Sequence, residues 1–184
     1  MPGQSASDLY PGTVPEPRWL TADEQLSWRA FLSASLLLHE QLGRDMQRLH
    51  GLTNADYEIL VRLSESPQRR LRMTDLAEST WSSKSRLSHQ ITRMEQAGLV
   101  RREPCSSDRR GFFAVLTDTG WERLVAAAPD HVASVREHLV DVLTPEQSQQ
   151  LGDACRLVAE RLLPPDSPER QAWAAPRSEE TAAP

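Results

Sequence analysis

Residues 83–98 have the sequence SKSRLSHQITRMEQAG, in which the apolar positions recur at helical spacing. Leu87, Ile91 and Met94 stand four and three residues apart, so they share one side of a helix and predict a buried face. The opposite side carries hydroxyl, imidazole and guanidinium groups. Residues 80–94 contain no acidic residue. The stretch therefore predicts an amphipathic helix whose exposed face is rich in hydrogen-bonding groups and positive charge.

Capping signals predict where the other helices begin. Thr21 and Glu24 have the spacing of a capping box, and the helix they open is predicted to run for about 25 residues or more. This helix is apolar on more than one side, which indicates contact with its own domain and with a second subunit. Pro129 is expected to kink or restart a later helix. The further helices are predicted to be capped by Thr53, Thr74, Thr117 and Thr144.

Beyond residue 98 the pattern changes from helical to alternating. Residues 99–103 and 112–116 are predicted to form paired strands, and the eight residues between them are rich in turn formers. Residues 71–73 are predicted to form only a very short strand, a stub of three residues. The order of elements predicts a mainly α (α+β) fold: a winged helix-turn-helix with flanking N- and C-terminal dimerisation helices. Trp81, just before the second helix of the motif, is expected to wedge between the two helices.

Charge is distributed unevenly along the chain, whose net charge is −5. Residues 69–110 contain ten basic and five acidic side chains, whereas the rest of the chain contains 11 basic and 21 acidic ones. Arginine abundance alone says little, because Lys84 is the only lysine beside 20 arginines. A basic segment on an acidic body nevertheless favours local contact with phosphates over general adhesion to polyanions.

Two groups of residues are candidates for contact with double-stranded DNA. The helix after Trp81 offers donors and acceptors that suit base edges, and an α-helix fits the major groove. The tip of the predicted hairpin carries arginine, which is preferred in a narrow minor groove, and an aspartate that can hold the loop in shape. The predicted DNA-binding residues are Ser83, Lys84, Ser85, Arg86, Ser88, His89, Arg93, Asp108, Arg109 and Arg110.

These motifs resemble the MarR (multiple antibiotic resistance regulator) family of transcription regulators. The similarity spans roughly residues 20–163 and comprises the helix at 83–95, the Ala97-Gly-Leu-Val-Arg-Arg102 segment, the wing tip at 108–111 and the Leu116-Thr117-x-x-Gly120 segment. The resemblance implies a homodimer on a pseudo-palindromic operator, usually a repressor that a small aromatic or phenolic effector releases. It also implies a wing arginine at Arg110, organised by Asp108. His89 departs from the family pattern, in which arginine is frequent at that position.

The expected domain organisation follows from these elements. We expect a disordered tail (1–18), a dimerisation helix (19–51), the DNA-binding domain (52–117), dimerisation helices (118–163) and a second disordered tail (164–184). No apolar run approaches the ~18 residues that a membrane span needs, and the N-terminus lacks a secretory signal pattern. The sequence therefore predicts a cytoplasmic bacterial protein, associated with the nucleoid when bound to DNA, with no membrane partner.

Several residues leave alternatives open. Trp28, His39 and Tyr57 are candidates for an effector pocket, although such aromatic side chains more often form dimer core. Cys105, in the wing loop near several arginines, allows a redox-responsive regulator. A winged-helix adaptor that binds only proteins is a further alternative. No catalytic motif and no metal-ligand spacing is present, so neither an enzyme nor a cofactor is predicted.

Overall fold

The computed structural model describes residues 17–105 and 108–164, with the backbone alone at residues 108–110. The chain divides into two compact units, Met1–Leu36 and Leu37–Pro184. The predicted tails lie almost wholly outside the described residues. Within the described part of the chain, no helix is both long enough and apolar enough to cross a bilayer.

The first helix, α1, spans Ala22–His50 and belongs in part to each unit. Its start confirms the predicted capping box, because the Thr21 N–H donates to Glu24 Oε2 (2.8 Å) and the Glu24 N–H donates to Thr21 Oγ1 (3.2 Å). In the first unit, α1 leaves its large apolar side chains exposed to solvent: Leu26, Trp28, Phe31, Leu32 and Leu36.

The second unit contains the remaining elements in the predicted order. Its α-helices are α2 (Asn54–Glu65), α3 (Met73–Ser79), α4 (Lys84–Gln96), α5 (Asp118–His138) and α6 (Pro145–Leu162). Its strands are β1 (Arg70–Arg72), β2 (Val100–Cys105) and β3 (Asp108–Leu116). We call β2 and β3 the wing. The mainly helical fold with a small sheet confirms the predicted fold class.

The three strands form one antiparallel sheet in the order β1-β3-β2. The predicted strand stub pairs with β3, so that Leu71 lies opposite Ala114. The wing strands are longer than predicted, and their pairing becomes irregular between Pro104 and Cys105. The sheet therefore joins the start of the helix-turn-helix, through β1, to the wing.

Three of the four predicted threonine caps are confirmed. The side chains of Thr53, Thr117 and Thr144 each accept a backbone hydrogen bond at the start of α2, α5 and α6. The prediction for Thr74 is wrong, because α3 already begins at Met73, without a side-chain cap. The pairing of β1 extends to Arg72, and α3 begins directly after it, two residues earlier than a Thr74 cap would place its start.

Pro129 does not restart the helix that contains it, so of the predicted kink or restart the restart is wrong. The helix α5 continues from Asp118 to His138 with Pro129 inside. Ala127 and Ala128, just before the proline, are buried and hold this turn of α5 in place. Val125, whose carbonyl loses its helical donor, lies on the exposed side, where water can replace the missing bond.

Within the second unit, hydrogen bonds join the last turns of α1 to α5. Ser134 Oγ donates to Asp45 Oδ2 (2.8 Å), and His50 Nε2 lies 2.8 Å from Asp130 Oδ2. Hydrogen bonds from Gln41, and then from Ser134 and Arg48, lower the pKa of Asp45 to about 2. The Asp45 carboxylate therefore stays charged at neutral pH.

Candidate nucleic-acid interface

The helix α4 is anchored in the core by one of its sides. Leu87, Ile91 and Met94 are almost completely buried, as their spacing predicted. Ser83 caps the helix, because its Oγ accepts a hydrogen bond from the Arg86 N–H at 3.3 Å. Since these contacts fix the rotation of α4 about its axis, they determine which residues face solvent.

The face of α4 opposite the core is polar and exposed. At about 100° per residue, Ser85, His89 and Thr92 lie near the centre of this face. Thr92 Oγ1 donates to the Ser88 carbonyl (2.9 Å), while His89 has no hydrogen-bond or ion-pair partner among the described residues. We call Ser85, His89 and Thr92 the outer face of α4.

Arg86 and Arg93 lie at the edge of α4 that is turned toward α2. Arg93 forms an ion pair of 2.8 Å with Asp56, and Gln90 donates to the same carboxylate oxygen at 2.6 Å. Arg86 is exposed and has no ion-pair partner in the described part of the chain. These two arginines therefore flank the centre of the outer face, as helical spacing indicates.

The opposite edge of α4 contacts the wing through Arg102. The Arg102 guanidinium donates to the Ser88 carbonyl (2.9 Å), to Thr92 Oγ1 (3.0 Å) and to Glu95 Oε2 (2.8 Å). The Arg102 backbone N–H also donates to Glu95 Oε1 (2.9 Å). These four bonds fix the base of the wing to α4, so Arg102 is a structural part of the interface that sequence reasoning missed.

A basic cavity of about 290 Å³ lies between α4 and the wing. Its lining includes Arg72, Lys84 and Arg102, of which only Lys84 was predicted from the sequence. Lys84 has no ion-pair partner among the described residues, so its ammonium group is available to an anion. The two arginines were missed because strand pairing in the sheet, rather than local periodicity, brings them here.

The predicted wing-tip residues are described only in part. Asp108, Arg109 and Arg110 belong to β3 by their backbone, while their side chains and residues 106–107 lie outside the described part. Cys105 is buried, with 5% of its surface exposed. This burial disfavours a redox sensor, because a sensing thiolate must be accessible to the oxidant.

The three candidate effector residues lie in different surroundings. His39 lines an open cleft of about 900 Å³ together with Arg44, Arg86 and Arg93. Tyr57 instead packs against the His131 ring, with ring centroids 4.4 Å apart. Burial raises the pKa of Tyr57 and lowers that of His131, which keeps both side chains uncharged at neutral pH. Trp28 is exposed in the first unit.

Trp81 does not wedge between the two helices of the motif, contrary to the prediction. Its side chain is 65% exposed, and its backbone has φ +51°, a conformation that bulky residues rarely adopt. The tight turn produces this geometry, since the Trp81 N–H donates to the Glu78 carbonyl and the Ser82 N–H to the Ala77 carbonyl.

In the described residues, no group of His, Cys, Asp and Glu side chains is arranged to hold a metal ion.

A helix-turn-helix, a wing fixed to its second helix and a polar outer face on that helix define a winged helix-turn-helix protein. The comparisons with known proteins agree. The model of the MarR family matches residues 52–112. The transcriptional regulator HosA of Escherichia coli is 31% identical over 121 residues, which cover 66% of this chain and 87% of HosA.

Two solved structures from Streptomyces coelicolor are more similar. AbsC, a MarR family transcriptional regulator, is 58% identical, with a TM-score of 0.75 and coverage of 79% of this chain and 98% of AbsC. Sco3205, a MarR family regulator solved in complex with DNA, is 52% identical, with a TM-score of 0.77 and coverage of 83% and 96%. The chain belongs to the MarR family of transcriptional regulators.

Proposed function

We propose that this regulator is a homodimer that binds a pseudo-palindromic operator and represses transcription until a small organic effector releases it. The observation that carries the proposal is the outer face of α4, which is exposed and free of acidic residues. It is flanked by Lys84 and Arg86, which form no ion pair with any described residue. Each α4 enters the major groove and each wing reaches the adjacent minor groove. Sco3205, a similar regulator solved in complex with DNA, supports DNA binding by this chain.

Exposed apolar surface supports the homodimer. In the first unit it lies along α1, where Leu26 is 70% exposed. In the second unit it lies along α6, where Leu157 and Leu162 are 66% and 77% exposed. Several large apolar side chains exposed along one helix usually mark an interface. A second copy of the chain offers the same apolar surface, so a symmetric homodimer can bury both.

The open cleft that contains His39 is the proposed effector site. Its charged lining comprises one acidic residue, Glu40, and four arginines (Arg44, Arg48, Arg86 and Arg93), so it favours an aromatic acid over a neutral ligand. Arg86 and Arg93 also lie on α4, and a ligand that engages them acts directly on the DNA-binding helix. Thermal shift with a panel of aromatic acids tests the site, because a ligand bound to the folded state raises the melting temperature.

Operator binding is expected to weaken steeply with salt. Each phosphate that the protein neutralises contributes about −0.9 to the slope of log affinity against log salt, so six to ten contacts cost a factor of about 10³–10⁵ between 50 and 200 mM. Fluorescence anisotropy with an operator selected from a random duplex pool measures the slope. A slope near zero, or a pool without an enriched sequence, would favour the adaptor alternative.

The outer face of α4 and the wing tip are expected to respond differently to mutation. His89→Ala removes a group that can reach a base edge, so it should relax preference at particular operator positions by roughly 1–3 kcal/mol. Arg110→Ala removes a minor-groove contact that responds to shape and charge, so it should lower affinity for all operator variants about equally.

Operator-variant binding curves for both mutants test this assignment. Arg136→Ala is the matched control, because it removes one positive charge from α5, where Arg136 pairs with Asp141 away from α4. It should leave base preference unchanged. If Arg110→Ala altered base preference and His89→Ala lowered affinity uniformly, the roles of helix and wing would be reversed.

A further inference from the structure

We propose that Asp56, at the N-terminus of α2, is a positioning residue for DNA binding that holds Arg93 ready to contact a DNA phosphate. The inference rests on the proposed function, because it assumes that α4 faces DNA. Asp56 itself touches no DNA in this proposal. It acts through the guanidinium that it holds.

The two carboxylate oxygens of Asp56 have separate partners. Oδ2 accepts hydrogen bonds from the Thr53 N–H (3.0 Å) and the Thr53 hydroxyl (2.6 Å), which complete the cap of α2. Oδ1 accepts from Gln90 Nε2 (2.6 Å) and from Arg93 Nη2 (2.8 Å), both on α4. One oxygen therefore suffices for the helix cap, and the other is committed to α4.

The burial of Asp56 indicates that the contact to α4 has a role of its own. Asp56 is 6% exposed, and burying a carboxylate is unfavourable unless its charge is compensated. A cap alone does not require this burial: Glu24 caps α1 in the same way from an exposed position. Arg93 supplies the compensating charge for Asp56.

Arg93 keeps most of its hydrogen-bonding capacity in this arrangement. Its side chain is 56% exposed, and only Nη2 is engaged by Asp56. The remaining guanidinium N–H groups have no partner among the described residues. Arg93 lies one helical turn after His89, at the border of the outer face, where a phosphate flanks a helix in the major groove.

Holding the guanidinium in place favours specific over non-specific binding. A free arginine loses rotamer freedom when it contacts a phosphate, and an arginine already fixed by Asp56 and Gln90 loses less. The carboxylate also reduces the local positive charge, which weakens non-specific attraction to DNA. The pair therefore raises the ratio of operator affinity to affinity for random duplex.

A double-mutant cycle with the full-length protein tests the proposal. Asp56→Asn can keep the cap with its carboxamide oxygen but loses the charge that holds Arg93. We expect a five- to tenfold loss of operator affinity and no loss for random duplex. In an Arg93→Ala background the same substitution should change operator affinity by less than twofold. Equal losses in both backgrounds would show a purely structural role and overturn the proposal.

Two further variants separate positioning from folding. Thr53→Ala weakens the same cap and leaves the Oδ1 contacts intact, so it should lower the melting temperature with unchanged operator affinity. Gln90→Leu leaves the cap intact and removes the second bond to Oδ1. It should lower operator affinity only when Arg93 is present, which decides the question if Asp56→Asn does not fold. Failure of the wild-type protein to bind any selected duplex would instead refute the proposed function.

Discussion

Replacing Gly120 with alanine is expected to destabilise the protein by about 3 kcal/mol or more, because the new methyl group overlaps backbone. A Cβ at this position would lie 2.1 Å from the Leu99 carbonyl oxygen and 2.8 Å from Leu116 Cδ1. The Leu99 carbonyl cannot easily move, since it accepts hydrogen bonds from both the N–H and the hydroxyl of Thr117. Thermal unfolding should show a fall of roughly 10 °C.

Gly152→Ala is the matched control for this prediction. Gly152 lies inside α6, and no described atom of the same chain lies within 4 Å of an added Cβ. Alanine there should therefore stabilise the helix by about 0.5–1 kcal/mol. Opposite signs for the two substitutions would support the close approach of α5 to the connection between α4 and β2. An unchanged melting temperature for Gly120→Ala would contradict that packing.

Deleting residues 144–184 is expected to abolish the soluble dimer. The deletion removes α6, whose exposed apolar residues we assign to the interface, and also Leu163, which is buried. The truncated chain should aggregate or unfold, because the fold would lose buried Leu163 and the proposed interface would lose the apolar side chains of α6. Light scattering after size-exclusion chromatography and thermal unfolding measure both properties.

A shorter deletion, of residues 168–184, controls for truncation itself. This segment is rich in alanine, proline and charged residues, so its loss should leave assembly and stability nearly unchanged. A folded, monomeric core after the larger deletion would refute the proposed dimer interface.

Local features of this fold could be predicted from the sequence because their causes are local. The cap of α6 joins Thr144 to Gln147, only three positions later, and its two hydrogen bonds are present. The buried side of α4 followed from helical spacing in the same way. Most helix starts, the helix faces and the order of elements therefore required no knowledge of distant residues.

The contacts that shape the candidate interface could not be predicted in this way. Asp56 and Arg93 are 37 residues apart, and no periodic pattern indicates that they meet. Arg102 appeared only as part of a basic segment, whereas three groups on α4 fix its guanidinium. The Thr74 prediction was wrong for a related reason, because strand pairing at Arg72 determined where α3 begins.

The left-handed backbone conformation of Trp81 lowers the stability of the protein. A left-handed conformation costs a bulky residue about 1–2 kcal/mol relative to glycine, and a side chain that is 65% exposed recovers little of this by burial. Replacing Trp81 by glycine would therefore relieve this strain and stabilise the connection between α3 and α4. Proteins near a threshold of stability tolerate such positions, and directed evolution for heat resistance would be expected to find this one early.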